Sequence, residues 1–193
     1  AHRAKGTPVS AVADDRRVVL VTGAGGNLGR AVTRAFSRAG DRVVLIERKL
    51  ASLQATFGGD TETQLLVPAD LLVAADAQRV VDTALQRWGR VDVLCNLAGG
   101  FRMGEAVHET TDDTWNFLLD LNARTVLHMA QAVVPAMLRQ GRGWIVNVGA
   151  ASAARGLAQM GAYTASKAVV QRLTEAMSAE LRERGIHVNC VLP

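Results

Sequence analysis

A tyrosine and a lysine placed four positions apart are residues whose types and spacing suit acid–base chemistry. Tyr163 and Lys167 lie in a run of helical apolar spacing, and residues at i and i+4 share one face of a helix. An ammonium group beside a phenol favours the phenolate and lowers the pKa of the tyrosine. We therefore predict that Tyr163 exchanges a proton with an alcohol or a carbonyl group. The alternative is that the pair only packs, since this spacing is common on amphipathic helices.

A glycine-rich loop near the start of the chain is typical of a phosphate-binding turn. It lies between the first β-branched run and the first helical pattern, and it reads Val21-Thr22-Gly23-Ala24-Gly25-Gly26-Asn27-Leu28-Gly29. Glycines there let the backbone approach a pyrophosphate, and the following helix offers free N–H groups at its N-terminus. The loop therefore predicts dinucleotide binding.

Two charged residues at the end of the second predicted strand bear on the choice of dinucleotide. Glu47 comes about 20 residues beyond the loop, where an acid accepts the ribose hydroxyls. The alternative is a solvated acid at a strand end. Arg48 beside it could instead favour a ribose phosphate. We expect NAD as the preferred cofactor, with NADP as the alternative.

These residues must be positioned by an alternation of apolar strands and helical patterns. The six strand runs are RRVVLVTG, DRVVLIERK, TQLLVPADL, RVDVLCNLAGG, GRGWIVNVGA and IHVNCVLP. Near-continuous apolar strands separated by helices predict a parallel sheet covered on both faces, that is, a Rossmann-type doubly wound, three-layer α/β/α fold. In the first helix the inward face is expected to contain Leu28, Val32, Ala35, Phe36 and Ala39. Pro135, inside the helical run 110–141, predicts a kink or an unsatisfied backbone carbonyl.

Composition limits the class of protein and its partners. The 193 residues are 49% hydrophobic, which suits one domain at 18–193 preceded by a disordered leader at 1–17. The net charge is only +4, and no basic run interleaved with aromatics suggests nucleic acid as a partner. No apolar stretch has the length of a membrane span. Cys95 and Cys190 sit in apolar runs, which suggests core thiols in a reducing compartment and hence the cytoplasm.

Metal binding is not expected from this sequence. The four histidines lack cluster spacing, and no pair of histidines, cysteines or carboxylates suggests a metal site.

The ordered motifs resemble those of the short-chain dehydrogenase/reductase family. The resemblance spans residues 17 to 193 and rests on six segments: TGAGGNLG, Asp70, Asn96-Leu97-Ala98-Gly99, Asn122, YTASK and Asn189-Cys190-Val191-Leu192-Pro193. It implies NAD(P)-dependent hydride transfer between nicotinamide and a small carbonyl or alcohol substrate.

The resemblance also implies roles for individual residues. Tyr163 would be the acid/base, Lys167 would bind the nicotinamide ribose and tune Tyr163, and Asn122 would hold a water of the proton relay. Asp70 and Leu71 would lie by the adenine. The other nucleotide contacts would come from Thr22, Gly23, Gly25, Gly26, Asn27, Leu28, Gly29, Asn96, Ala98, Gly99 and Pro193.

The resemblance further suggests a homodimer or homotetramer. The helices from about Asn122 to Arg139 and from Gly161 to Arg184 carry more apolar residues than one sheet face needs, and in the family they pair across a twofold axis. The residues expected to supply this second contact surface are Leu127, Ala130, Val134, Met137, Val170, Leu173, Met177 and Leu181.

Three departures from the family pattern leave alternatives open. Asn27 replaces the second loop glycine, and asparagine tolerates a positive φ. Ala150 stands where the family has its catalytic serine, thirteen residues before Tyr163. Ser152 could donate to the substrate carbonyl if the loop bends, or it could bond to backbone. The segment that usually covers the substrate in the family would follow Pro193, where this chain stops.

The missing serine gives two alternatives to an ordinary family member. The stretch Gly149-Ala150-Ala151-Ser152-Ala153 is similar to that of dihydropteridine reductase, a serine-less member of the family. A reductase of that kind is one alternative. A nucleotide-binding module without turnover is the other.

Overall fold

The computed structural model describes residues 15–193, so residues 1–14 of the predicted leader lie outside the described part. Arg17, the last residue of that leader, belongs to the folded region. Its guanidinium donates two hydrogen bonds, of 2.9 and 2.6 Å, to the carboxylate of Asp41 and packs over the ring of Phe36. Its carbonyl accepts from the N–H of Arg42, the first residue of the second strand.

Six parallel strands form the sheet, as the alternation of apolar runs predicts. They are β1 (Val18–Thr22), β2 (Arg42–Glu47), β3 (Gln64–Pro68), β4 (Val93–Asn96), β5 (Gly143–Val148) and β6 (Ile186–Val191). Their order is β3-β2-β1-β4-β5-β6, and every pairing is parallel. The order reverses between β1 and β4, where doubly wound sheets bind ligands beyond the carboxyl ends of their strands. The Rossmann-type α/β fold is therefore confirmed.

The α-helices cover the sheet on both faces. They are α1 (Asn27–Arg38), α2 (Leu50–Phe57), α3 (Ala74–Trp88), α4 (Asp112–Leu119), α5 (Thr125–Gln140) and α6 (Gly161–Leu181). One apolar core joins the sheet to α3 and α5 and reaches the end of α6 at Leu181. A second core joins the other sheet face to α1 and α2. Within residues 15–193, no helix has the length and apolar character needed to cross a membrane.

The inward face of α1 differs from the sequence prediction. Gly29 and Thr33 are its buried residues, and Val32 and Phe36 pack beside them. Leu28, Ala35 and Ala39 are exposed, so their predicted inward position is wrong. The reason is that α1 approaches the sheet closely at Gly29, where a Cβ would lie only 2.7 Å from the Cα of Ala24. This contact sets the rotation of the helix.

The irregularity in the predicted long helical run lies away from Pro135. The run divides into α4, a π-helical segment at Asp120–Arg124, and α5, which continues through Pro135 to Gln140. Such π segments insert an extra residue into a helix and often mark functional sites. The inserted segment buries Asn122.

Candidate active site

The glycine loop is held against the end of β4 by a buried hydroxyl. Thr22 Oγ1 accepts hydrogen bonds from the N–H groups of Leu97 (2.9 Å) and Ala98 (3.0 Å). Gly23 follows with φ +63°, and a Cβ there would lie 2.9 Å from the Cα of Ala98. Thr22 and Gly23 therefore fix the shape of the loop, and the hydroxyl of Thr22 is engaged by protein atoms.

The next residues of the loop open the N-terminus of α1. Gly26 precedes the helix, Asn27 is its first residue, and no side chain caps the free N–H groups. Asn27 is absent from the described residues with positive φ, so its tolerance of that conformation is not needed. Gly26, Asn27 and Leu28 are exposed, and a helix N-terminus with free N–H groups suits an anionic pyrophosphate.

A small cleft of about 70 Å³ lies beside this loop. Gly23, Glu47, Asp70, Leu71 and Ala98 are among its lining residues. The Glu47 carboxylate faces the loop, because its Oε2 would lie 3.4 Å from a Cβ placed on Gly25. A glycine cradle, an uncapped helix N-terminus and an acid at the end of β2 fit the pyrophosphate and ribose of a dinucleotide.

The acidic residue Asp70 is positioned by a neighbour that the sequence analysis missed. The N–H of Asp70 donates to Asp76 Oδ2 at 2.8 Å, and Asp70 Oδ1 accepts from the N–H of Leu72 at 3.0 Å. The bond from the Asp70 N–H and those from Arg79 hold the pKa of Asp76 below its usual value. The opposite Asp70 oxygen, Oδ2, lies 3.8 Å from Arg48 Nε.

A buried chain of amides runs under the site. Asn96 Nδ2 donates to Asn147 Oδ1 at 2.8 Å, and Asn147 Nδ2 donates to Thr174 Oγ1 at 2.9 Å. The side chain of Asn96 is therefore committed to the protein interior, and only its backbone can line a nucleotide. Asn147 and Thr174 were not identified from the sequence. Asn147 could have been, because a polar residue inside an apolar strand indicates a buried hydrogen-bonding partner.

Tyr163 and Lys167 lie at the carboxyl end of β5, on the first two turns of α6. The Tyr163 ring packs edge-on against Phe101 with centroids 4.7 Å apart. Burial raises the pKa of Tyr163, so the predicted lowering by Lys167 is not found in this structure. The cause is the burial of the Tyr163 phenol itself. Lys167 Nζ donates to the carbonyl of Val148 at 2.9 Å and is buried as well. Burial lowers the pKa of Lys167.

Asn122 joins the loop after β4 to the helix that carries Tyr163. Its Oδ1 accepts from the N–H of Gly100 at 2.8 Å, and its Nδ2 donates to the carbonyl of the same residue at 3.0 Å. Nδ2 also donates to Ser166 Oγ, which donates to the carbonyl of Tyr163. The amide of Asn122 is thus fully engaged by protein atoms. A Cβ on Gly99 would lie 2.9 Å from Asn122 Oδ1 and 3.4 Å from Lys167 Nζ, so only glycine fits between them.

Ala150, at the position of the family serine, is buried just beyond the end of β5. It is 5% exposed, and its carbonyl accepts from Gln171 Nε2. Ser152 lies two residues further on, in a short 3-10 segment at Ala151–Ala154. It is not among the residues that line the cavity next to Tyr163. Pro193 reaches the same region, where its carbonyl accepts from the N–H of Ala151.

A second cavity, of about 160 Å³, opens against Tyr163. The loop after β4 and the start of α6 form its walls. Gln159 contributes from a left-handed backbone conformation, with φ 60°, which is uncommon for a residue with a side chain. Its carbonyl accepts from the N–H of Gly104 at 2.9 Å and so ties the two walls together. This cavity touches Tyr163, the only tyrosine in the chain.

Curated proteins of known activity resemble this chain over most of its length. A sorbitol dehydrogenase from Cereibacter sphaeroides is 34% identical over 180 residues, which cover 93% of this chain and 70% of that protein. A D-threitol dehydrogenase from Mycolicibacterium smegmatis is 34% identical over 182 residues, with the same two shares.

Solved structures show the same fold. A short-chain dehydrogenase from Streptomyces avermitilis has a TM-score of 0.84 at 32% identity, covering 92% of this chain and 65% of that one. A 3-ketoacyl-(acyl-carrier-protein) reductase from Brucella melitensis, complexed with NADH, has a TM-score of 0.85 at 28% identity, covering 92% and 74%. The chain therefore spans between 65% and 74% of the length of these four proteins.

A family model described as short chain dehydrogenase matches residues 17–193, the same span over which the motifs occur in order. The glycine cradle, Glu47, Asn122 and the Tyr163–Lys167 pair all lie at the carboxyl edge of the sheet within that span. The chain belongs to the short-chain dehydrogenase family, whose members are oxidoreductases that use NAD or NADP.

Proposed function

We propose that this protein transfers hydride between a nicotinamide dinucleotide and a small carbonyl or alcohol, with Tyr163 as the acid/base. The observation that carries the proposal is the position of Tyr163. Its ring borders a cavity of substrate size, while Lys167, one helical turn away, lies next to Gly99 on the loop that continues to the dinucleotide cradle. One edge of the sheet thus supports both a cofactor and a substrate.

The chemistry divides between the cofactor and the chain. The bound nicotinamide would supply hydride to a carbonyl carbon or accept it from an alcohol carbon. In the reducing direction, the hydroxyl of Tyr163 donates its proton to the carbonyl oxygen as that oxygen gains charge. In the oxidising direction, the phenolate of Tyr163 removes the proton of the alcohol. Lys167 Nζ donates to Val148, and its remaining N–H groups are available to a ribose hydroxyl.

The decisive experiment is turnover by Tyr163→Phe. The substitution keeps the ring that packs on Phe101 and removes only the oxygen, so cofactor affinity should stay within a few-fold while turnover falls by roughly 10²–10⁴. The measurement is the absorbance change of NADH with a panel of ketones and polyols that includes sorbitol and threitol. Turnover by Tyr163→Phe equal to that of the unmodified protein would reject Tyr163 as the acid/base.

We propose that NAD(H) is preferred over NADP(H). Glu47 faces the glycine loop, and its carboxylate would repel a 2′-phosphate. Arg48 is largely exposed and points toward Asp70, so its guanidinium is less available to bind that phosphate. Fluorescence titration should show tighter binding of NADH than of NADPH, and Glu47→Gln should narrow the difference. Equal or tighter binding of NADPH by the unmodified protein would contradict the proposal and would indicate that Arg48 binds the 2′-phosphate.

A nucleotide-binding module without turnover is the second candidate, and Ala150 is the observation that favours it. A buried methyl group occupies the position of the family serine, and it cannot donate a hydrogen bond to a substrate oxygen. Tight binding of NADH together with no hydride transfer across the whole panel would select this candidate. The dihydropteridine-reductase-like alternative would be selected by turnover of a quinonoid pterin without turnover of simple ketones.

We further propose a cytoplasmic location and a homodimer or homotetramer. Both cysteines are free thiols, which suits a reducing compartment. The exposed Leu127 on α5 and Val169 on α6 leave an apolar surface on the two helices that a second copy could cover.

A further inference from the structure

The cavity beside Tyr163 contains two charged side chains of opposite sign. Arg102 and Glu105 both line it, together with the hydroxyl-bearing Thr110 and Thr114. Its volume of about 160 Å³ is small for a ligand site, so a substrate held there has few atoms. The availability of each charge to such a substrate follows from its contacts.

The carboxylate of Glu105 is already occupied by the start of α4. Its Oε1 accepts from Thr114 Oγ1 at 3.1 Å, and its Oε2 accepts from the N–H of Thr111 at 3.3 Å. A carboxylate at a helix N-terminus is stabilised by the free N–H groups there. The other acids of this turn, Asp112 and Asp113, are exposed and do not line the cavity. The role of Glu105 is therefore to fix the cavity wall.

The guanidinium of Arg102 is held in place but has no acidic partner. It lies 3.7 Å from the centroid of the Phe117 ring, and within residues 15–193 no carboxylate lies within 4.0 Å of it. Stacking on an aromatic face orients the guanidinium and leaves its N–H edge free. That edge matches the two oxygens of a carboxylate in a bidentate pair.

The same loop fixes Arg102 relative to the reacting phenol. Phe101, the preceding residue, packs edge-on against Tyr163, while Phe117 packs at Gly100 on the other side. Two consecutive side chains of the loop are thus anchored on two aromatic rings. A substrate that pairs with Arg102 would have its carbonyl or hydroxyl group held near Tyr163 at a set separation.

We propose that the substrate is a small oxo or hydroxy acid and that Arg102 is the residue that selects it by pairing with its carboxylate. The proposal rests on the hydride-transfer function proposed above. It adds the charge class of the substrate, and it assigns a role to a loop residue outside the Tyr163–Lys167 pair. In the reaction, the carboxylate remains unchanged while the carbonyl carbon gains hydride and its oxygen gains the proton of Tyr163.

The test compares acids with their uncharged esters. Pyruvate, acetoacetate and levulinate are each matched with the methyl ester, and kcat/KM with NADH is measured for the full chain and for Arg102→Gln. For at least one acid, we expect kcat/KM to exceed that of its ester by about tenfold or more, because the acid can form a charge-assisted bidentate contact. Arg102→Gln should abolish this preference, because kcat/KM for the acid should fall about tenfold more than kcat/KM for its ester. Arg102→Lys keeps the positive charge but loses the planar pair of N–H donors. Its preference for the acid over the ester should therefore lie between those of the unmodified protein and Arg102→Gln.

A binding experiment separates this proposal from the proposed reaction. Calorimetric titration of the preferred acid into the NADH complex needs no turnover, and Arg102→Gln should weaken that binding about tenfold. Esters or polyols used better than every acid, or equal acid binding by the unmodified protein and Arg102→Gln, would overturn the proposal. Ester turnover that depends on Tyr163 would still support the hydride-transfer function in that case.

Discussion

Tyr163 and Lys167 both lie in surroundings that disfavour their charged forms. Burial raises the pKa of the phenol and lowers the pKa of the ammonium. Oxidation of an alcohol needs the phenolate, so its rate should rise with pH and should not level off below about pH 10, the usual value for tyrosine. Reduction needs the neutral phenol and should remain near its maximum from neutral pH up to that range.

These two pH profiles test the electrostatic role of Lys167. Steady-state rates in both directions, measured in constant ionic strength, are the readout. An oxidation rate that levels off near pH 7 would instead show that Lys167 stabilises the phenolate during turnover, as the sequence spacing predicts. Lys167→Met would then move that plateau to higher pH.

Ala150 offers a gain-of-function test at the scale of one atom. Ala150→Ser restores a hydroxyl at the position of the family serine, where a donor to the substrate oxygen can raise kcat/KM on a neutral ketone by up to about 100-fold. Ala151→Ser adds the same group at an exposed neighbour and is the matched control. Ser152→Ala shows whether that hydroxyl already acts as the donor. No gain from Ala150→Ser, with a loss in Ser152→Ala, would assign the role to Ser152.

At the scale of the helix, α1 contains a polar atom with no partner. Thr33 Oγ1 is buried without a hydrogen bond. Thr33→Val replaces the hydroxyl with a methyl group of similar size, so the protein should be stabilised by about 1 kcal/mol, or roughly 2–4 °C in Tm. Thr174→Val is the matched control, because Thr174 Oγ1 accepts from Asn147, and it should destabilise the protein. A lower Tm for Thr33→Val would indicate a partner for the hydroxyl in solution.

At the scale of the strand, β4 carries a thiol that resists ionisation. Burial raises the pKa of Cys95 to about 12, against about 8.5 in an unfolded chain. Between these values the folded state keeps the proton that the unfolded state has lost, so stability falls as pH rises, by roughly 1.4 kcal/mol for each pH unit. Its contribution is fully present below about pH 8.5. Denaturant midpoints from pH 8 to 11 should fall less steeply for Cys95→Ala than for the unmodified chain or for Cys190→Ala.

Strands were more predictable from the sequence than helix details were. A buried parallel strand has an apolar run that is set locally, and all six predicted runs form strands. The π-helical segment at Asp120–Arg124 could not be predicted, since it brings Asn122 to Gly100, a contact that depends on the completed sheet. In the same way, the sequence placed Tyr163 and Lys167 on one helix but could not show that Lys167 would donate to Val148.

For the whole molecule, the expected contact surface between copies needs correction. Ala130, Met137, Val170 and Leu181 are buried in the protein itself, so they cannot contact a second copy. Of the predicted residues Leu127 is exposed, and Val169 on α6, which was not predicted, is exposed as well. Light scattering should report a dimer or tetramer, and Leu127→Glu with Val169→Glu should shift it toward the monomer because two charges would be buried at the contact. A monomer for the unmodified chain would contradict the assembly.

The strand order also determines when each contact of β1 can form during synthesis on the ribosome. One edge of β1 is covered by β2 soon after it is made, whereas the other edge must wait for β4, whose Val93 pairs with Val19. The hydroxyl of Thr22 likewise waits for Leu97, 75 residues later. Because β1, β2 and β3 precede β4 in the chain, the glycine loop lacks its backing until β4 and Leu97 have been made. We therefore expect nucleotide to stabilise the nascent chain only after translation has passed β4.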